Sequence, residues 1–300
     1  MRLITLGTGA GRPTLQRYTS ATALEYEGET FLFDCGEATQ LQLIRSPLKW
    51  GKLSAIFIGH LHGDHLYGLP GLLGTLSLAE RHEPMQVFGP PGLKDYLRVH
   101  QETKSLWVSY PLEVTEITEP GLILENDRYQ IFTAPLRHLI PCWGYAFREK
   151  PRPGLFNEEA AEKLGIPEGP ERMSLVQGRT VTLADGRVIP PEAVVGPRRP
   201  GRSFAYCLDT QPCPELAPLA KGVDVLVHEA TFANEFETQA HAWGHSTAAD
   251  AGRIAREAGV RRLILTHVSQ RYVDAQVLID EARTIFPKSE LAEDLQTFFF

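Results

Sequence analysis

Residues 54 to 65 read S-A-I-F-I-G-H-L-H-G-D-H, an apolar run from Ala55 to Ile58 that stops at Gly59 and opens into His60, His62, Asp64 and His65. Four to eight apolar residues ending at a glycine form the pattern of a buried strand in a parallel sheet or sandwich core. Side chains at i and i+2 of an extended segment share a side. His60 and His62 therefore point one way together, whereas His65 has the opposite parity. It stands just ahead of the helical-looking stretch L-Y-G-L-P-G-L-L-G-T-L-S-L-A-E and can face a second centre. Histidine also serves as an ordinary polar loop residue. With only 10 histidines in 300 residues, however, this spacing would arise by chance with a probability on the order of a percent. Such crowding of imidazole and carboxylate points to two adjacent metal ions.

The chain as a whole bounds what those ions could serve. Three hundred residues at 43% hydrophobic content can bury one large core or two modest ones, and no composition break divides the sequence, so a single domain spanning 1–300 is expected. The opening M-R-L-I-T-L-G-T-G-A-G has no signal-peptide pattern, and no apolar run reaches membrane-spanning length. A soluble, cytoplasmic protein without a membrane partner is the expectation. Cys35, Cys142, Cys207 and Cys213 show no C-x-x-C spacing, which argues against a disulfide framework or a thiolate zinc site and leaves nitrogen and oxygen as metal ligands. The net charge of -7 and pI near 5.8 argue against a protein that coats itself onto nucleic acid. A polyanionic substrate would have to be drawn by a local basic surface and by the metals themselves.

Outward from the opening stretch, residues 2–6 and 21–34 read as strands, the latter folded back at Glu27 to Glu29, and strands through Tyr129 to Thr133 deliver His138. From 148 to 202 the apolar periodicity fades. Eight of the 22 prolines and a local charge balance of +2 gather in these 55 residues, with Arg198, Arg199 and Arg202 near the end. A solvated surface loop is the commoner fate of such a segment, but a long excursion inserted in a compact domain is often functional. Regular pattern resumes at Ser203. Four apolar strands, ending at Ile58, Leu208, Val227 and Thr266, each run into a metal-capable or acid–base residue, the way an α/β enzyme gathers a site at one end of its sheets.

His138, Asp209 and His267 are the best further ligands. With the opening cluster they make seven side chains, enough for two ions if Asp209 bridges. Imidazole and carboxylate suit zinc best, with manganese and iron also admitted. Two such ions activate a water and clamp an in-line displacement at phosphorus. The departing alkoxide needs a proton, and Glu229 with His245 is the remaining pair of suitable chemistry. His82, His100 and His241 read as ordinary histidines.

H-L-H-G-D-H, followed by His138, the L-D-T that holds Asp209, H-E-A-T, G-H-S-T and L-T-H-V-S-Q-R-Y, resembles the metallo-β-lactamase fold and specifically the short form of ribonuclease Z, the tRNA 3′-processing endonucleases. L-G-T-G-A-G, F-D-C-G-E-A-T-Q and G-L-P-G-L-L-G extend the likeness over nearly the whole chain. The resemblance implies an αββα sandwich and two zinc ions per subunit, one on His60, His62 and His138, the other on Asp64, His65 and His267, with Asp209 shared. It implies Asp64 acting on the nucleophilic water, Glu229 and His245 assisting proton transfer, and substrate contacts at Arg17 and Arg271. Residues 148–202, with Gly169-Pro170, are similar to the family's flexible tRNA-gripping arm, and a homodimer is implied. The implied reaction is removal of the 3′ trailer from precursor tRNA near the discriminator nucleotide, leaving a tRNA 3′-hydroxyl and a trailer 5′-phosphate. The chain departs from the family's P-x-K-x-R-N at Leu15 and Tyr18, carries Gln211 in place of an arginine and has Gly59 in place of Ser or Thr. A related hydrolase of small phosphodiesters is the competing reading.

Overall fold

The computed structural model describes residues 1–300. Strands occur at Arg2–Gly7 (β1), Ala21–Tyr26 (β2), Glu29–Phe33 (β3), Leu53–Phe57 (β4), Met85–Gly89 (β5), Leu112–Glu116 (β6), Gly121–Glu125 (β7), Tyr129–Leu136 (β8) and Cys142–Glu149 (β9). They continue at Val181–Thr182 (β10), Val188–Ile189 (β11), Ser203–Cys207 (β12), Val225–Glu229 (β13), Arg262–Thr266 (β14), Ser289–Leu291 (β15) and Gln296–Phe299 (β16). Two compact units emerge. One comprises Met1–Glu125, Gln130–Phe147 and Ser203–Phe300, the other Asn126–Tyr129 and Arg148–Arg202.

The first unit is built on two seven-stranded sheets, ordered β16-β1-β2-β3-β4-β5-β6 and β15-β14-β13-β12-β9-β8-β7. Strand alternation sorts the core into layers. Phe33, Phe57, Phe204 and Tyr145 project between the sheets, with Phe33 stacked on Phe57 at 5.0 Å and edge-on to Phe204 at 4.9 Å. Their strand neighbours Leu32 and Ile56 face outward to Leu43, Leu72 and Leu97, in helices Thr39–Arg45, Leu69–Leu78 and Leu93–Glu102. On the other side Ala205, Leu226 and Leu263 pack under helices Ala248–Ala258 and Gln276–Ile285. The result is four layers, helix, sheet, sheet and helix.

Register positions the site. β3, β4 and β5 run parallel with Phe33, Phe57 and Phe88 side by side, and β12, β13 and β14 run parallel with Cys207, His228 and Leu265 side by side. Whatever follows each strand therefore emerges at a common edge. The β2–β3 hairpin turns on Glu27 and Gly28, both with positive φ (48° and 86°), as the mirror-image turns of two-residue hairpins require.

The second unit is more regular than its proline-rich sequence suggests. Helices Glu158–Lys163 and Pro170–Val176 and the β10–β11 hairpin enclose a small core of Ala161, Ile166, Leu175, Leu183, Ile189 and Val194. Asn157 caps the first helix through the Ala160 N–H, and Pro170 opens the second where a missing N–H costs nothing.

Candidate metal centre

Three residues of the common edge stand immediately beyond strands in left-handed backbone: Asp34 after β3 (φ 58°), Asp209 just after β12 (φ 55°) and His267 after β14 (φ 56°). Non-glycine residues adopt this conformation at a cost of about 1–3 kcal/mol, and such strain clusters at functional sites. Two of the three, Asp209 and His267, are among the seven side chains singled out by sequence, and all seven converge. They form two groups, His60–His62–His138–Asp209 and Asp64–His65–Asp209–His267, with Asp209 in both.

The spacing within the groups tests whether a metal fits. A tetrahedral zinc with ligands at about 2.0–2.1 Å separates its ligand atoms by about 3.3–3.4 Å. In the second group His65 Nε2, His267 Nε2 and Asp64 Oδ2 stand 3.3, 3.5 and 3.4 Å apart, and Asp209 Oδ1 lies 3.3 Å from His65 Nε2 and 3.0 Å from His267 Nε2. In the first, His62 Nδ1 lies 3.0 Å from His60 Nε2 and 3.2 Å from His138 Nε2. Asp209 Oδ2 lies 3.5 and 3.9 Å from the Nε2 atoms of His60 and His138.

The outer hydrogen bonds fix which nitrogen is bare. Nδ1–H of His65 donates to Asp34 Oδ2 at 2.6 Å, that of His138 to the Gly244 carbonyl at 2.8 Å and that of His267 to Thr231 Oγ1 at 2.8 Å. A ring held in this way turns its Nε2 inward, where a neutral imidazole offers a bare lone pair to a metal. Buried Asp209 Oδ1 has no hydrogen-bond donor, so lone pairs face one another at 3.0–3.5 Å around a place suited to a cation. Divalent metal fits this donor set.

Comparison with known proteins agrees with the geometry. Ribonuclease BN of Escherichia coli K12 is 44% identical over 304 residues, covering 99% of both chains. The chain belongs to the ribonuclease BN family. Human tRNase Z, short form, superposes with a TM-score of 0.74 at 30% identity, covering 100% of this chain and 99% of that one. The metallo-beta-lactamase fold protein YhfI of Bacillus subtilis gives 0.69 at 18% identity over 99% and 98% of the two chains. Family profiles for the beta-lactamase superfamily domain and for the anti-Pycsar protein Apyc1 match residues 191–268 and 1–111. The four-layer architecture is the metallo-β-lactamase fold.

Beyond the two groups of this ribonuclease BN family member stands a further pair of titratable side chains, Glu229 and His245. Glu229 ends β13 fully buried, and its Oε1 accepts from His245 Nδ1–H at 3.1 Å and from the Thr210 N–H at 2.6 Å. Burial alone would lower the His245 pKa, but the Glu229 charge and hydrogen bond outweigh it and push it up to about 9. Burial likewise works against the Glu229 carboxylate, and the His245 charge holds it below the usual range. The His245 ring lies 5.1 Å from that of His138 and 5.5 Å from that of His267, over the outer ligands of both groups. Asp64, desolvated but surrounded by the charges of His65 and His267, is held far below the ordinary carboxylate range. Its Oδ2 accepts the N–H of Gly11 at 2.7 Å.

The other expected substrate residues fall differently. Arg17 turns its guanidinium inward, donating to Thr8 Oγ1 at 2.6 Å and to the Ala292 carbonyl at 2.7 Å, which leaves Arg12 as the exposed arginine of that loop. Leu15 beside it is 99% exposed. Arg271 is exposed, with its guanidinium over Phe232 and Phe236. Gly169 and Pro170 lie exposed in the second unit. There Arg202 is taken up by Glu149 at 3.0 Å, while Arg198 and Arg199 stay exposed and donate to the Pro151 and Pro153 carbonyls. Gln211 binds through its N–H to the Arg137 carbonyl at 2.9 Å.

Sequence reasoning gave no role to Asp34 or Thr231. Asp34 accepts from His65, from the Tyr206 hydroxyl at 2.9 Å and from the Gly59 N–H at 2.6 Å. A Cβ at Gly59 would meet Asp34 Oδ1 at 3.3 Å, a close fit for any larger residue. Thr231 donates to Glu229 Oε2 at 2.6 Å while accepting from His267, joining the acid–base pair to the second group through one hydroxyl. The available signal was a polar residue at or near each strand end, in F-D-C-G and H-E-A-T. In a further cluster, Glu237, His241 and Asp250, Arg253 already occupies both carboxylates at 2.8 and 2.6 Å.

Proposed function

We propose that the protein is a zinc-dependent endoribonuclease of the cytoplasm that removes the 3′ trailer from precursor tRNA. It would cut near the discriminator nucleotide, leaving a tRNA 3′-hydroxyl and a trailer 5′-phosphate. The observation that carries this reading is the pair of tetrahedrally spaced ligand groups sharing Asp209, in a chain that matches a ribonuclease BN along its length. His60, His62, His138 and Asp209 would hold one zinc, and Asp64, His65, His267 and Asp209 the other; manganese or iron would suit the same donors. Two ions bound there supply an activated water and neutralise charge developing at phosphorus.

The chain's own residues do the rest. Asp64, oriented by the Gly11 N–H, acts on the attacking water by accepting a hydrogen bond from it, and the water's proton passes to solvent as its oxygen bonds to phosphorus. The P–O3′ bond breaks on the opposite side. His245, held charged by Glu229 at Nδ1, gives its Nε2 proton to the departing 3′-oxygen. Arg271 and the Gly169-Pro170 turn would contact the tRNA, Arg17 would shape the loop near its 3′ end, and residues 148–202 would grip its body from the partner subunit of a homodimer.

Incubation of the purified protein with precursor tRNAs, with and without an encoded CCA, followed by mapping of the product 3′ ends, tests the reading. Ends at or next to the discriminator are expected. Intact tRNA alongside hydrolysis of a small chromogenic phosphodiester would identify a phosphodiesterase of small substrates instead.

A further inference from the structure

The short helix that leads to His245 also delivers an aromatic side chain. Glu237–Ala242 runs out through Trp243 into Gly244, whose φ of 75° closes the helix as the His245 N–H bonds the Ala240 carbonyl at 2.8 Å. Gly244 has no latitude. An added Cβ would lie 2.7 Å from His138 Nδ1, and the Gly244 carbonyl accepts from that nitrogen at 2.8 Å. Trp243 is thus fixed two residues before His245, on a segment pinned to a residue of the first group.

Trp243 is nevertheless 43% exposed. The ring lies 5.6 Å from Phe232, which also neighbours His245 at 6.0 Å. Phe232 in turn carries the Arg271 guanidinium at 4.7 Å, with Phe236 at 4.4 Å also beneath it. A flat apolar ring and a cation held against aromatics therefore stand together beside His245. That pairing suits single-stranded RNA, with a base stacked on the ring and a phosphate on the cation.

We infer that Trp243 is the stacking seat for the base of the nucleotide that bears the leaving 3′-oxygen, with Arg271 taking the phosphate on that nucleotide's 5′ side. This rests on the reading of His245 as proton donor to that oxygen. The donor and the leaving nucleotide share a side of the scissile phosphorus, and Trp243 rides on the donor's own backbone segment. Every base has a π-face, so Trp243 sets how firmly that nucleotide is held and not which base it carries.

The test is an enzyme-by-substrate cycle. kcat/KM is measured for wild type and Trp243→Ala on precursor tRNA with either a normal nucleotide or an abasic ribose at the leaving position. Trp243→Ala should lose roughly 5- to 150-fold on the normal substrate, the abasic change should cost wild type a similar factor, and both together little more than either. Trp243→Phe should recover most of the rate. If the alanine variant is unstable, Trp243→Leu, which keeps bulk without a π-face, carries the same test. Losses that multiply, or an undiminished alanine variant, would overturn the inference while leaving the reaction intact. A wild type that never cuts precursor tRNA would overturn the reaction and the inference together.

Discussion

His65, in the short helix Gly63–Leu66, and Asp209, just past β12, are shut away with side-chain exposures of 0% and 3%, whereas Arg198 and Arg199 stand in open water on a unit that keeps its own small core. The two regions solve different problems. Chemistry at phosphorus needs lone pairs held in place, and each of three imidazoles is fixed by an outer acceptor, Asp34, Gly244 or Thr231. Attraction of a polyanion acts over a Debye length and tolerates loose geometry. The difference teaches that catalysis and substrate grip can be separated by mutation.

The comparison breaks most completely if the second unit is removed. Deletion of residues 150–200 is expected to abolish cleavage of precursor tRNA while hydrolysis of a small chromogenic phosphodiester persists; equal loss of both would remove the assigned division of labour. A milder form is Arg198→Ala with Arg199→Ala, which should weaken tRNA binding and flatten its dependence on log salt by about 1–2. Next in size, His245→Ala should lower kcat by about 10²–10⁴-fold with metal content unchanged, measured by single-turnover cleavage. Asp34→Ala sharpens the role of the outer acceptors. It should weaken metal affinity about 10–100-fold at the group containing His65, read by titration of the metal-stripped protein.

The smallest expected effect lies in the scaffold. Thr247 and Asp250 form a capping box on helix Ala248–Ala258, and Thr247→Ala should cost about 1 kcal/mol by denaturant unfolding. Burial works against the Asp250 carboxylate, but bonds from the Thr247 N–H, Arg253 and His241 hold its pKa below the ordinary value. A pKa depressed by folding contributes stability that is present above the unfolded value, about 3.9, and is lost as pH falls through the folded one. Asp250→Asn should therefore destabilise at pH 7 and progressively less toward pH 3.

The opening stretch displayed the two-sided cluster because strand parity acts over a few residues, and the ligands His138, Asp209 and His267 were visible as polar residues at or just beyond apolar strands. Asp34 lacked such a signal, since its role depends on a left-handed turn and on a partner, His65, 31 residues away. The setting of Arg17 was hidden for the same reason: the Ala292 carbonyl that accepts from it lies 275 positions on. The regularity of the second unit was hidden because helices of six and seven residues and two-residue strands are too short to impress a period on the sequence.

The two ligand groups and their shared carboxylate can be tested without any substrate. Titration of the metal-stripped protein with zinc, read by bound metal per chain, should saturate at two in the wild type and retain at most one weakly held ion in Asp209→Ala. Saturation at one in the wild type, or two tightly bound ions without Asp209, would contradict the account.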